Sequence, residues 1–286
     1  MSRIWQLISS SFLIWGKASA SQMSAAMTYF AMLSLAPLLV IAVAIAGLAY
    51  GNATAQQEIL EQVALLTTDE RITDTVAGLL SNTSRPESGL FAGILSVLVL
   101  LFGASGVFSQ LQETFNEIWD VPHEKGMGVL RSVQTRLYGI VMVFVAGFLL
   151  LATLGISTAV AAVSNLVEDW PRLRTWLEWS DRGISFLLIP VILSLLFWLI
   201  PKADIEWKDV WPAAMLTAFL LAMSRYLIKF YMDLSTTSEV YGAAGSLVVL
   251  LIWFYIGGLV LFYGAAFSRA WTETFGSRSP SQRQSP

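Results

Sequence analysis

Residues 242–267 read GAAGSLVVLLIWFYIGGLVLFYGAAF, a run without a single charged side chain. As a helix it would extend about 39 Å, and about 20 apolar residues already cross a hydrocarbon core of roughly 30 Å. A helix that is apolar all round is either the centre of a large core or a membrane span. The composition decides between them. Only 13% of the 286 residues are charged and 56% are hydrophobic, with mean hydropathy +0.65. Soluble domains carry about 25% charge, and a 31.4 kDa globule could not hide this much apolar surface. A soluble enzyme and a disordered chain are both excluded.

Outward from that stretch lie five more apolar runs, at 25–50, 89–108, 137–163, 183–200 and 210–231, the last of them interrupted by Arg225 and Lys229. The third and fourth are divided by a polar break holding Glu168, Asp169, Pro171, Arg172 and Arg174. None alternates as a barrel strand would. The expectation is an all-α, polytopic membrane protein with six transmembrane helices in one membrane domain, 1–270. The tail 271–286, rich in Ser, Arg, Gln and Pro, is expected to be disordered and cytoplasmic.

Residues 1–22 lack the pattern of a secretory signal. Ile4, Trp5, Ile8, Phe12 and Trp15 recur every three or four positions among Arg3, Gln6 and Lys17. That suits a helix lying in the membrane interface; an ordinary cytoplasmic extension fits the same residues. The segment 52–88 carries Leu60, Val63 and Ala64, then Ile72, Val76, Leu79 and Leu80, with a break near Thr67–Asp69. Two short amphipathic helices capping the extracytoplasmic face are expected, with Thr68 or Asp69 as a helix cap and Pro86 as a stop. The stripe serves packing on the bundle, or docking of a periplasmic partner.

Lys and Arg set the orientation. With the N-terminus inside, six crossings put ten of them in cytoplasmic segments and five outside, leaving Arg225 and Lys229 within a span. This satisfies the positive-inside rule, and the reverse orientation violates it. Trp119, Trp207, Trp211 and Trp271 fall near the inner boundaries, as an aromatic belt would.

Arg225 stands out chemically. It lies fourteen residues past Trp211, about 21 Å along the helix. At such depth a cation costs about 2.5–3.5 kcal/mol unless water or a partner receives it. Snorkelling to the outer headgroups is one reading. A polar cavity is the other, and there an anionic headgroup is the natural ligand of a guanidinium. Lys229 shares its face one turn on. In the first run Pro37 frees a carbonyl near Leu33 and kinks the helix, with Ser34 beside it, as a packing feature or a hinge.

Glu113, Asn116, Glu117 and Asp120 fall on one helical face at the polar end of the second run. Such carboxylates could hold Mg²⁺ for phosphodiester hydrolysis, but a solvated helical extension explains them equally. His123, the sole histidine, follows Pro122 in a surface loop. With no cysteine, no phosphate-binding glycine loop and no serine elbow, neither a catalytic residue nor a metal or cofactor is expected. Net charge −3 and a pI near 5.2 argue against nucleic acid. Membrane lipids are the expected partners; a homo-oligomer or a periplasmic partner is compatible.

Ala26-Met27-Thr28-Tyr29-Phe30-Ala31-Met32-Leu33-Ser34-Leu35-Ala36-Pro37-Leu38-Leu39 resembles the first-helix signature of the BrkB/YihY family of bacterial inner-membrane proteins. Asn116-Glu117-Ile118-Trp119 is similar to its motif after the second helix, and Tyr241-Gly242 with Leu250-Leu251-Ile252-Trp253-Phe254-Tyr255 to its last-helix signature. The resemblance runs from about Trp5 to Phe267. It implies six helices in the inner membrane with both ends cytoplasmic. It also implies a basic residue at Arg225 and a tyrosine at Tyr231. The family's usual Gly-Ala-Glu near the end of the last helix reads Gly264-Ala265-Ala266 here, and Trp198 stands where the family tends to have tyrosine. The family once carried the label ribonuclease BN, generally regarded as mistaken; envelope-lipid transport is another association. The residues expected to meet a lipid or substrate are Arg225, Lys229, Tyr231, Ser34, Pro37, Asn116 and Tyr241. The function expected is non-ATP-driven handling of an anionic amphiphile, the alternatives being a scaffold without cargo and a metal-dependent ribonuclease.

Overall fold

The computed structural model describes residues 3–50, 52–66, 70–83, 90–122, 189–203, 205–234 and 245–278. Among them are eight helices and no strand: α1 (Arg3–Lys17), α2 (Ala20–Tyr50), α3 (Asn52–Leu66), α4 (Glu70–Thr83), α5 (Leu90–Ile118), α6 (Ile189–Leu199), α7 (Trp207–Leu234) and α8 (Gly245–Thr274). Four of them, α2, α5, α7 and α8, are long and apolar enough to cross a membrane. The expected third span and the first part of the fourth lie outside the described residues, and α6 is the described end of that fourth span. α7 is the least apolar of the four, with mean hydropathy 1.4 against 2.0–2.3, because it carries Lys208, Asp209, Arg225 and Lys229.

The four long helices alternate in direction. Phe30 and Ser34 of α2 abut Gly106 and Gly103 of α5, so the two run antiparallel. Gly264 of α8 seats against Thr217 of α7, while Gly276, just beyond α8, meets Asp209 near the start of α7; this pair is antiparallel too. α8 also packs on α2 and on α1. At the α7–α8 crossing only a glycine fits: a Cβ on Gly264 would overlap the Thr217 side chain and stand 2.9 Å from the Phe197 ring.

Two buried regions hold the bundle. Near one end, Phe115 of α5 meets Phe197 of α6 and Phe262 of α8, with ring centroids 5.8 and 6.1 Å away, beside buried Ala213, Ala214 and Ala266. At the other end Ile72, Val76 and Leu80, one turn apart on α4, bury against α2, α7 and α8. The apolar stripe of α4 thus packs on the bundle. The division between α3 and α4 falls at the expected Thr67–Asp69 break; those residues and Pro86 lie outside the described ones. The bundle's outer surface is itself apolar. Ile94, Leu95, Leu98 and Phe102 of α5, and Phe219, Leu227 and Phe230 of α7, are all exposed. A soluble protein would bury such a surface; a membrane protein presents it to lipid.

α1 lies alongside α8. Arg3 sits by Phe275, Phe12 by Tyr263, and the Trp15 indole donates to the Leu259 carbonyl at 3.2 Å. These pairings align α1 antiparallel along the last half of α8, with Leu7 and Ser11 buried. Ser19, in a left-handed conformation with φ 50°, lets the chain turn before α2 restarts at Ala20. α8 runs on to Thr274 because Ala270 and Thr272 continue its buried face, and an ordered turn follows to Arg278. Residues 279–286 lie outside the described ones.

Candidate functional site

Polar groups concentrate where α5 ends, α7 begins and α8 ends. The last carbonyls of a helix have no partner within it. Here Arg269 of α8 supplies one: its Nη1 donates to the Ile118 carbonyl at 2.6 Å. Nη2 donates to the Asp120 carboxylate at 2.5 Å and Nε to Glu273 at 2.8 Å. The bond from Arg269 holds the Asp120 carboxyl below its ordinary value. Asp120 reaches the arginine because α5 stops at Ile118 and Asp120 itself turns left-handed, with φ 49°.

Asp209, in the first turn of α7, is buried and accepts from the Ser277 backbone N–H at 3.0 Å and the Ser277 hydroxyl at 2.6 Å. A carboxylate is favoured at a helix N-terminus by the helix dipole, and here it also fastens the turn after α8. The Asn116 side-chain oxygen accepts from the Lys202 backbone N–H at 3.0 Å. The Trp198 indole donates to the Ile205 carbonyl at 3.0 Å. Trp198, Trp207 and Trp211 form an edge-to-face row, 5.5 and 6.2 Å apart, at the same end of the bundle.

Residues of the acidic face expected on α5 make separate contacts. Asp120 turns to Arg269, Asn116 to Lys202, and Glu113 accepts weakly from Ser109 at 3.5 Å. Among the described residues no three metal-ligating side chains cluster. His123 lies outside them.

Arg225 and Lys229 stand elsewhere. Arg225 is eighteen residues past the start of α7, about 27 Å along it. It is half-buried, and Lys229, one turn on, is exposed. The adjacent Ser224 and Ile228 are buried, Ile228 beside Val249 and Leu250 of α8. The two cations thus lie on the flank of α7, beside its packing seam. Tyr231 belongs to α7, but its side chain is outside the described residues, as is Tyr241 altogether.

Ser34 and Pro37 form a third place. The Ser34 hydroxyl donates to the Ala31 carbonyl at 3.0 Å, and its Cβ stands 2.6 Å from where a Cβ on Gly103 would lie. Ser34 is small because α5 crosses there. α2 remains a continuous helix through Pro37. The expected site residues are accordingly spread over three places. Asn116 belongs to the polar junction, Ser34 and Pro37 to the α2–α5 crossing, and Arg225 with Lys229 to the α7 flank.

Sequence reasoning missed Arg269 and Asp209. The available signal was local: a cation in the last turns of one span and an acid in the first turn of another, each where the helix dipole favours it.

Four long apolar helices with lipid-facing outer surfaces define an α-helical membrane protein. The chain belongs to the family described as virulence factor BrkB, whose profile matches residues 13–286. It is 26% identical over 198 residues to a UPF0761 membrane protein of Verminephrobacter eiseniae, covering 68% of this chain and 45% of that one. It is 25% identical over 251 residues to a ribonuclease-like protein, YfkH, of Bacillus subtilis, covering 84% and 86%. It is 28% identical over 187 residues to a UPF0761 membrane protein of Stenotrophomonas maltophilia, covering 63% and 40%. The chain spans less than half the length of the first and third of these. No solved structure matches it.

Proposed function

We propose that this membrane protein handles an anionic amphiphile without ATP, engaging the headgroup through Arg225 and Lys229. It sits in the bacterial inner membrane with both ends cytoplasmic and contributes to envelope integrity. The observation that carries the reading is the placement of two cations one turn apart on the flank of α7, Arg225 half-buried about 27 Å along the helix. Two cations at that spacing suit a phosphate or carboxylate, and a guanidinium pairs with either through two parallel bonds. Arg3 beside Phe275 brings the start of α1 and the end of α8 to one end of the bundle, in keeping with both ends on one side.

A metal-dependent ribonuclease is set aside in this reading, because Asp120 is engaged by Arg269 and Glu113 by Ser109. The test is equilibrium binding of spin-labelled phosphatidic acid to the reconstituted protein. An Arg225→Gln/Lys229→Gln double variant should bind at least about tenfold more weakly, the equivalent of one charge-assisted hydrogen bond. Unchanged binding in a folded double variant would discard the reading and favour a scaffold without cargo.

A further inference from the structure

A second feature lies at the opposite end from Arg225. α1, α7 and α8 enclose an open groove of about 520 Å³. Its walls are Ile8 of α1 and Leu216 and Leu220 of α7, and its floor is Tyr263 and Phe267 of α8. Trp271 and Phe275 line its other end, where the Arg3 guanidinium stands 5.5 Å from the Phe275 ring centroid. The groove is therefore apolar along its length and cationic at one mouth.

We propose that this groove holds one anionic glycerophospholipid, with an acyl chain along α8 and its phosphate at Arg3. Three observations select that occupant. From Tyr263 to Phe275 is twelve residues, about 18 Å, close to the ~15 Å of one leaflet's hydrocarbon. The Arg3 guanidinium at the groove's end is complementary to a phosphate, and Trp271 beside it is the aromatic type found at headgroup level. The groove is open to the side, with Ile8 38% and Phe275 39% exposed on a surface that faces lipid. The site is separate from the Arg225–Lys229 reading and stands without it.

The test is native mass spectrometry of the full chain in detergent, titrated with dioleoylphosphatidylglycerol or, for comparison, dioleoylphosphatidylcholine. The wild type should take up one phosphatidylglycerol per chain in preference to phosphatidylcholine. Ile8→Trp, which fills the groove from an exposed position, should remove that binding. Arg3→Gln, a surface change that leaves the fold intact, should weaken phosphatidylglycerol about tenfold, the loss of one charged contact, with little effect on phosphatidylcholine. The Arg225→Gln/Lys229→Gln variant should keep this lipid, which separates the failure of one proposal from failure of the other. Retention of phosphatidylglycerol by Ile8→Trp, equal binding of the two lipids by the wild type, or a dimer of chains in place of the lipid adduct would each overturn the assignment.

Discussion

Arg269 and Arg225 are both arginines on long apolar helices, yet they sit in opposite surroundings. Arg269 is gathered in by a helix-end carbonyl and two carboxylates, one from the α5 terminus and one from its own helix. Its role is to join elements. Arg225 lies far along α7, half-buried on the flank of the seam with α8. The charge near the end of α8 is absorbed by the architecture; the one far along α7 is the one proposed to meet a ligand.

That contrast can be broken most directly by removing each guanidinium in turn. Arg269→Ala should lower stability by about 1.5–3 kcal/mol, most of it from the Ile118 carbonyl bond. The Asp120 and Glu273 pairs add less, since their carboxylates are 74% and 47% exposed. Arg225→Ala should cost about 1 kcal/mol or less and should instead weaken amphiphile binding. Thermal melts of the two variants in one detergent, set beside the binding assay, check both halves. Equal melting losses would erase the distinction between the two arginines.

The next effect is local. Asp209→Asn should cost about 1 kcal/mol, through loss of the charge-assisted bonds to Ser277 and of a favourable charge at the α7 N-terminus. Hydrogen exchange should speed up at the Ser277 amide, while amides in the middle of α8 stay protected. Uniform loss of protection along α8 would mean that Asp209 supports the whole bundle, beyond the turn it fastens.

How much of this was written plainly in the chain depends on the range of the interaction. The stretches that became α2, α5, α7 and α8 are visible because a bilayer demands about 20 apolar residues in succession, a rule that needs no knowledge of neighbours. The α3–α4 pair is nearly as visible: Ile72, Val76 and Leu80 repeat at one turn, and the polar Thr67–Asp69 separates them from Leu60 and Val63. The pairing of α1 with α8 is not. Trp15 and Leu259 are 244 residues apart, and the apolar stripe on α1 reads the same whether it faces headgroups or a helix. The candidate site suffered in the same way. Asn116, Ser34 and Arg225 each attract notice locally, but only the packing shows that they belong to three separate places. Asp120 was placed on the α5 face by a helical count that continued two residues too far, past the Ile118 terminus.

The smallest expected effect tests the Arg269 junction by pH. Asp120 has its folded pKa depressed below the ordinary 3.8 by the bond from Arg269. The native state therefore favours the ionised carboxylate. Its contribution is fully present above the unfolded value and is lost as pH falls through the folded one. Asp120 is largely exposed, so the acid limb should be shallow. Asp120→Asn should flatten that limb below about pH 4, close to the ordinary carboxylate value, while leaving melting near neutrality only slightly lower. Melting curves of wild type and variant between neutrality and pH 3 provide the measurement. If the two fall in parallel, the acid sensitivity belongs to other carboxylates, and Arg269 joins α5 to α8 mainly through the Ile118 carbonyl.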